Sequence, residues 1–192
     1  MPLDMLSEIS DEVLLTRFAK GDAMAARTLT LRLTPRVLAQ AYRMLGNHAE
    51  AEDVSQDAML RLWNAAPEWR LAEAKVSTWL YRVVSNLCID RLRKAQPDGL
   101  DSIPEPEDPG DGPADVLQRQ SRARALQSAL GRLPLRQRQA VVLRDLQGLA
   151  NPDVAEIMET SVEAVESLLT RGRKALSADL MGRRAELGFE DG

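Results

Sequence analysis

Residues 76–94 read VSTWLYRVVSNLCIDRLRK, and the rest of the chain is best understood outward from this stretch. Leu80, Val83, Val84, Leu87 and Cys88 recur at helical spacing and form one apolar stripe. Arg82, Asn86 and Arg93 line up along another face, with Asp90 between the last two. Trp79 and Tyr81 stand near the start, and Arg91, Arg93 and Lys94 crowd the end. Two readings fit those cations. They complement the negative end of a helix dipole. Alternatively, the helix packs on one side and touches nucleic acid on the other, with Arg and Lys on phosphates and Asn on base edges.

Immediately upstream, between Ala65 and Ser77, helical periodicity lapses. Trp69 lies here with Arg70 and Lys75. A loop aromatic flanked by cations offers the stacking surface and phosphate contacts that single-stranded nucleic acid needs. Trp69 serves equally well as a core plug. Further upstream, His48 to Asn64 reads as a helix with Ala51, Val54, Ala58 and Leu62 inside and Glu52, Asp53, Gln56 and Asp57 outside. That acidic face is either solvated surface or a docking face for a basic partner. His48 is the sole histidine and has no second ligand nearby, so no metal site is expected.

The chain opens with two further helices. Residues before Ser7 look frayed. Ser10 is placed to cap a helix buried through Val13, Leu14 and Phe18, ended by Gly21. Asp22 opens the next through Ala23, Ala26, Leu29 and Leu33. Thr34-Pro35 predicts a kink or a fresh start, since proline suits a first helical turn and not an interior. Val37, Leu38, Ala41, Met44 and Leu45 continue the pattern to a stop at Gly46-Asn47.

Downstream of the central stretch the composition changes. PDGLDSIPEPEDPGDGPAD is acidic and rich in proline and glycine, with almost nothing to bury, and predicts an extended linker over 96–114. Beyond it, Val116, Leu117, Ala123, Leu126, Leu130 and Leu133 trace one helix. Pro134 opens another with Val141, Val142, Leu143 and Leu146 in the core, ended by Gly148. A short helix follows from Pro152 to Met158, with Asn151 as cap and Val154, Ala155 and Met158 inward. After a tight break at Glu159-Thr160-Ser161, in which Thr160 and Glu163 match a capping box, a longer helix carries Val165, Leu168, Leu169 and Leu176 inside and Arg171, Arg173 and Lys174 outside. Short helix, tight turn and longer basic helix have the spacing of a helix-turn-helix; plain packing hairpins share that shape.

Composition bounds the function. The chain has 192 residues, 44% of them apolar and 28% charged, which suits one ordinary domain or two small ones. Aromatics are only 4%, and Ala, Leu, Arg, Glu and Gln dominate, so an all-helical fold is expected. A net charge of −4 argues against a non-specific DNA coat; any nucleic-acid contact is local and helped by a partner. Cys88 is the single cysteine and allows no internal disulfide; on the apolar stripe it reads as core. There is no signal peptide and no long apolar run, so a cytoplasmic protein is expected.

The chain resembles the bacterial sigma-seventy superfamily, specifically its small extracytoplasmic-function sigma factors. AEDVSQDAMLRLW (residues 51–63) is similar to the segment that binds core polymerase. STWLYRVVSNLCIDRLRK (77–94) is similar to the helix that melts and reads the minus-ten element. LGRLPLRQRQAVVLRDLQGLANPDVAEIMETSVEAVESLLTRGRKAL (130–176) is similar to the minus-thirty-five-binding domain. The resemblance runs from about Ser10 to about Leu180 and implies an all-α fold of two small helical domains, 1–95 and 115–192, the second containing the helix-turn-helix.

It also implies roles. Glu52, Asp53, Gln56 and Asp57 would meet basic helices of core RNA polymerase, acid against base. Trp69, Arg70, Lys75, Ser77, Arg82, Asn86, Arg93 and Lys94 would hold the melted minus-ten strand, one base flipped into a loop pocket. Ser161, Glu163, Glu166, Ser167, Thr170, Arg171, Arg173 and Lys174 would meet the minus-thirty-five element. The acidic linker would cross the polymerase cleft toward the RNA exit path. An anti-sigma factor is the other implied partner, beside core polymerase and promoter DNA; no cofactor is implied.

The sequence also departs from the family pattern. Where the family's recognition helix usually carries Gly-Thr-Val-Lys-Ser-Arg, this chain has Glu163, Ala164, Val165, Glu166, Ser167 and Leu168. Ala150, Asn151, Pro152 and Asp153 replace Ser-Tyr-Glu-Glu before the short helix. The usual DNA contacts therefore do not carry over at Glu166 and Leu168. Either a different upstream element is read, or the contact leans on Ser167, Thr170, Arg171 and Arg173. The alternative function is a stand-alone helix-turn-helix regulator, disfavoured by the acidic face from Glu52 to Asp57. An enzyme finds no support: no nucleophile-base pair, metal cluster or phosphate loop is present.

Overall fold

The structure, a computed structural model, describes residues 8–70, 75–95 and 114–182, and every regular element among them is helical. The readings of residues before Ser7 as frayed and of 96–114 as a linker fall outside the described residues, Ala114 apart.

The first half is built on α1 (Asp11–Ala19), α2 (Ala23–Leu45), α3 (His48–Ala65) and α4 (Val76–Ala95). Side chains expected to start and stop these helices do so. The Ser10 hydroxyl accepts from the Val13 N–H, and one Asp22 carboxylate oxygen accepts from the N–H groups of Met24 and Ala25 at 3.0 and 3.1 Å. Gly46, at φ 76°, ends α2 in the left-handed region, and the Asn47 side chain accepts from the Glu50 N–H. α3 lies on α2, and α4 packs on both. The buried Gln40 crosses between α2 and α4, donating to the Tyr81 carbonyl at 3.1 Å and the Ser85 hydroxyl at 2.9 Å. The stripe of α4 faces inward as expected: Leu80, Val84 and Cys88 are buried, and Val83 and Leu87 partly so. Burial pushes the Cys88 thiol up to about 12, which fits inert core packing.

Of the kink or fresh start expected at Thr34-Pro35, the fresh start is overturned: α2 is one helix with Pro35 inside it. Proline leaves the Leu31 carbonyl, four residues earlier, without its helical N–H. Leu31 is on an exposed face, where water supplies the donor, so continuing the apolar stripe into Val37 and Ala41 wins.

The second half comprises α5 (Ala114–Arg132), α6 (Leu135–Val141) running into one π-helical turn (Val142–Leu146), α7 (Asn151–Ile157) and α8 (Val162–Met181). α8 is the spine, packed on α5, α6 and α7. A Cβ at Gly172 would stand 2.9 Å from Val141 Cγ2, so glycine sets how closely α8 approaches α6. Leu130, Leu143, Val154 and Val165 are wholly buried here, in a cluster continuous with the core of the first half.

Several inward positions shift by one or two residues. Val13 is exposed and Leu15 buried; Ala23 is exposed and Ala25 buried; Ala123 is exposed while Ala125 and Ala129 are buried; Leu146 is 37% exposed. An apolar stripe covers a third of a helix, and in these alanine- and leucine-rich runs neighbouring residues fit it equally well. The partner helix chooses between them.

Two caps also move. Ala150 takes the cap position of α7, so Asn151 and Pro152 lie inside its first turn. Ser161, not Thr160, caps α8 and accepts from the Ala164 N–H at 3.2 Å. The turn between α7 and α8 explains the second shift. Thr160 N–H bonds to the Ala155 carbonyl and Glu159 N–H to the Glu156 carbonyl, with Glu159 left-handed at φ 50°. This is a Schellman closure in which glutamate stands where glycine is favoured, and it uses Thr160 to finish α7. Glu159→Gly should therefore stabilise the fold by about 1 kcal/mol, the cost of a side chain in that region. Thermal unfolding checks this: an unchanged or lowered midpoint refutes it.

Candidate docking and nucleic-acid interfaces

The acidic face of α3 forms as its periodicity requires. Ala51, Val54, Ala58 and Leu62 are fully buried, which turns Glu52, Asp53 and Gln56 outward and leaves Asp57 half-exposed. Asp53 lies 3.7 Å from Arg91 of α4, and Asp57 3.3 Å from Arg61 one turn on. Both pairs are open to solvent and hold little energy. Beside them Thr30, Thr34, Ser55, Gln56, Met59, Leu60 and Trp63 line a mainly apolar groove of about 350 Å³, with Leu60 and the nearby Leu31 both exposed. The groove was not read from the sequence; Leu60, an outward leucine on α3, was its only signal.

The cations of α4 divide into two groups. Asn86, Arg93 and Lys94 are exposed along its outer face. Arg82 is turned toward α7: it donates to the Glu156 carbonyl at 2.7 Å and lies 3.7 Å from the Glu156 carboxylate. Lys75 likewise lies 3.6 Å from Asp153. Ser77, in the first turn of α4, is half-buried. The N–H of Val76 donates to Glu12 at 3.0 Å. Burial pushes the Glu12 carboxyl up, but hydrogen bonds from its own and the Val76 backbone, with Ser10 and Lys75, outweigh it and hold the group below its usual value.

Trp69 is half-buried, set edge-to-face against Trp79 with ring centres 5.7 Å apart, and packed on the core. Of its two readings the core plug describes this arrangement. Arg70 beside it is exposed.

In the helix-turn-helix, Ser161, Glu163, Glu166, Ser167, Thr170, Arg171, Arg173 and Lys174 are all exposed, because Val165, Leu169 and Gly172 take the buried side. Glu163 sits in the first turn, where hydrogen bonds from its own N–H and then the Ser161 hydroxyl hold its carboxyl below the usual range. The Thr170 hydroxyl donates to the Glu166 carbonyl, and Arg171 Nε to the Ser167 carbonyl. Arg173 donates from Nε and Nη2 to the two carboxylate oxygens of Asp145 in the π-helical turn, at 2.9 and 2.6 Å. That hydrogen bonding raises the Arg173 pKa further. Asp145 was missed in the sequence, where nothing links it to a residue on α8.

Residues 29–97 match the family described as Sigma-70 region 2, and residues 123–176 match Sigma-70, region 4. The ECF RNA polymerase sigma factor SigM of Mycobacterium tuberculosis is 38% identical over 176 residues, covering 91% of this chain and 86% of the relative. The chain belongs to the extracytoplasmic-function sigma factors. SigW of Bacillus subtilis, another such factor, is 32% identical over 84% of this chain and 91% of its own length. Among solved structures, CnrH in complex with the cytosolic domain of CnrY superposes with a TM-score of 0.67 at 29% identity, covering 90% of this chain and 97% of that one. In this sigma factor the region 2 match takes in α3 and α4, with their acidic and cationic faces, and the region 4 match takes in the helix-turn-helix. No described helix is long and apolar enough to cross a membrane, and no described cluster of side chains could hold a metal ion.

Proposed function

We propose that this sigma factor is a non-enzymatic, cytoplasmic specificity subunit that docks on core RNA polymerase and directs initiation at its own promoters. The observation that carries the reading is one chain presenting three surfaces of different chemistry: the acidic face of α3, the cationic face of α4 and the helix-turn-helix. Glu52, Asp53, Gln56 and Asp57 dock on basic helices of core polymerase. Arg70, Lys75, Ser77, Arg82, Asn86, Arg93 and Lys94 hold the unpaired minus-ten strand, with Trp69 supporting the loop. Ser161, Glu163, Glu166, Ser167, Thr170, Arg171, Arg173 and Lys174 face the minus-thirty-five element. The functional units are 1–95 and 115–192, joined by an acidic linker over 96–114. The free energy for opening DNA is binding energy: contacts to the released strand exceed the few kcal/mol that unstacking each base costs. An anti-sigma factor is the regulatory partner expected beside core polymerase and promoter DNA.

Transcription in vitro with core polymerase over a randomised promoter library tests the reading. Core-dependent enrichment of a bipartite minus-thirty-five and minus-ten sequence is expected; core-independent duplex binding would favour the stand-alone regulator.

A related expectation concerns the free protein. With a net charge of −4 and several cations already paired to acids, it should bind duplex promoter DNA only in the non-specific range, roughly 10⁻⁴ to 10⁻⁶ M at physiological salt. Anisotropy titration with and without core measures this. Tight sequence-specific binding by the protein alone refutes it.

A further inference from the structure

Two arginines of the helix-turn-helix half each lay one edge on a carboxylate. Arg132 of α5 meets Asp179 near the end of α8, and Arg173 of α8 meets Asp145 of the π-helical turn. Both members of the first pair are mostly covered, as suits a link between helices. The second pair is uneven: the Asp145 side chain is 29% exposed and the Arg173 side chain 54%. The local backbone explains where the acid stands. The Gln147 N–H reaches back five residues to the Val142 carbonyl at 2.9 Å, which is the wider π turn. Val142 and Leu143 stay buried, and Asp145 comes round toward α8. α8 approaches closely at this level, because Gly172, the chain neighbour of Arg173, leaves no room for a Cβ beside Val141. The carboxylate is held by the fold, and the guanidinium is held by the carboxylate.

A guanidinium carries five N–H donors in one rigid plane. Asp145 takes two of them, along the Nε–Nη2 edge. The end edge, formed by Nη1 and the second hydrogen of Nη2, has no partner among the described residues. Such an edge matches two oxygens of one phosphate. Glu166, Thr170 and Arg173 follow one another at helical spacing along the exposed side of α8. Arg173 therefore shares a face with the glutamate assigned to the upstream bases, two turns or about 10 Å further on. A residue there meets the backbone that borders the groove. An unrestrained arginine gives up rotamer freedom to make that contact, and one already fixed at two donors has less to lose.

We propose that Asp145 is a positioning residue for promoter recognition: it fixes the Arg173 guanidinium so that its end edge is presented to a backbone phosphate of the upstream element. The proposal rests on the assignment of α8 to that element. At long range the carboxylate offsets the charge of Arg173, so the pair adds less through charge than a lone arginine does; what Asp145 adds is geometry. The competing description is a surface ion pair that only ties the π-helical turn to α8. The two descriptions differ in sign. An acid that only offsets charge or ties two helices leaves binding the same or tighter when it is removed from a DNA-facing surface. An acid that positions Arg173 leaves binding weaker when removed, although the protein has become more cationic.

The test uses holoenzyme assembled from core polymerase and the full chain. The probe is a labelled duplex promoter that the wild-type holoenzyme enriches from the randomised library. Fluorescence anisotropy at fixed salt reads binding, and thermal unfolding of each free variant reads the fold. Asp145→Ala should bind the promoter about fivefold more weakly, within the span of coupling between contacting residues. In an Arg173→Ala background the same substitution should bind no more weakly and slightly more tightly, because it then removes an unpaired acid. Asp145→Asn keeps one acceptor oxygen and should fall between Asp145→Ala and the wild type; it carries the test if alanine unfolds the turn. Binding by Asp145→Ala as tight as the wild type or tighter overturns the positioning role. Equal weakening in both backgrounds means that Asp145 acts through the fold, and overturns it too. If Arg173→Ala alone leaves binding unchanged, Arg173 makes no upstream contact and the role falls with it. A library from which the wild-type holoenzyme enriches no upstream element removes the assignment of α8 beneath the proposal, whereas the other adverse outcomes remove the proposal alone.

Discussion

Asp53→Lys combined with Asp57→Lys will weaken binding to core polymerase by about a hundredfold or more while leaving the helical fold in place. The two halves of this expectation come from different parts of the structure. On the folding side, both side chains are on the outer face of α3, with Ala51, Val54, Ala58 and Leu62 buried beneath them. The bonds lost are the ion pairs to Arg91 at 3.7 Å and Arg61 at 3.3 Å. Exposed pairs contribute about 0–1 kcal/mol each, and like-charge neighbours on a helix cost a few tenths more. A fold with a normal stability of about 5–15 kcal/mol survives that. On the docking side the sum is different. Against a basic partner each reversal replaces attraction with repulsion, and like charges brought together at an interface cost several kcal/mol. Co-purification with core polymerase, beside circular dichroism of the free variant, separates the two effects. A folded variant that still binds core normally removes the docking assignment.

That expectation uses the part of the molecule most legible in the sequence. The stripes of α3 and α4 were readable because both helices alternate apolar and charged residues at an unbroken period, so one phase satisfies every position. The same logic weakens in α1, α2 and α5. There Val13 and Leu15, or Ala23 and Ala25, fit the stripe equally, and only the helix packed alongside decides. Pro35 shows a local rule overridden by tertiary gain: the lost hydrogen bond falls where water reaches it, and the stripe on either side stays buried. At Glu159 the sequence offered no glycine, and the turn formed around a left-handed glutamate. That displaced the cap of α8 from Thr160 to Ser161.

The polar contacts between the halves were of another kind. Arg82 and Glu156 are 74 residues apart in the chain, and Asp145 and Arg173 are 28 apart, with α7 between them. Neither pair has a periodic or spacing signature, because each depends on where whole helices come to rest. The carboxylate at Asp153 was legible, since the family pattern Ser-Tyr-Glu-Glu also places an acid there. Its partner, Lys75, was not, since the sequence reading had assigned that lysine to the strand alone.

Glu166→Ala should change which upstream bases are preferred, whereas Arg171→Ala should weaken upstream binding for every sequence alike. Base edges are read from the first turns of a recognition helix, and here those turns carry Glu163 and Glu166. Glutamate repels phosphates but accepts a hydrogen bond from the cytosine amino group, a contact worth about 1–3 kcal/mol of discrimination when well formed. Glu166 is exposed, and no described arginine or lysine pairs with it, so its carboxylate is available for such a bond. The competing reading that it pairs with a neighbouring arginine is thereby narrowed to simple solvent exposure. Arg171, exposed one turn further along, is better placed for a phosphate, and its loss should flatten the salt dependence of upstream binding by roughly one unit. Arg173→Ala should act in the same direction but less strongly, because the Asp145 carboxylate at 2.6 Å already offsets that charge. Holoenzyme transcription from promoters varied only in the upstream element distinguishes these outcomes. An unchanged base preference in Glu166→Ala means that the glutamate only faces solvent. A changed preference in Arg171→Ala would move base reading further along α8 than its first turns.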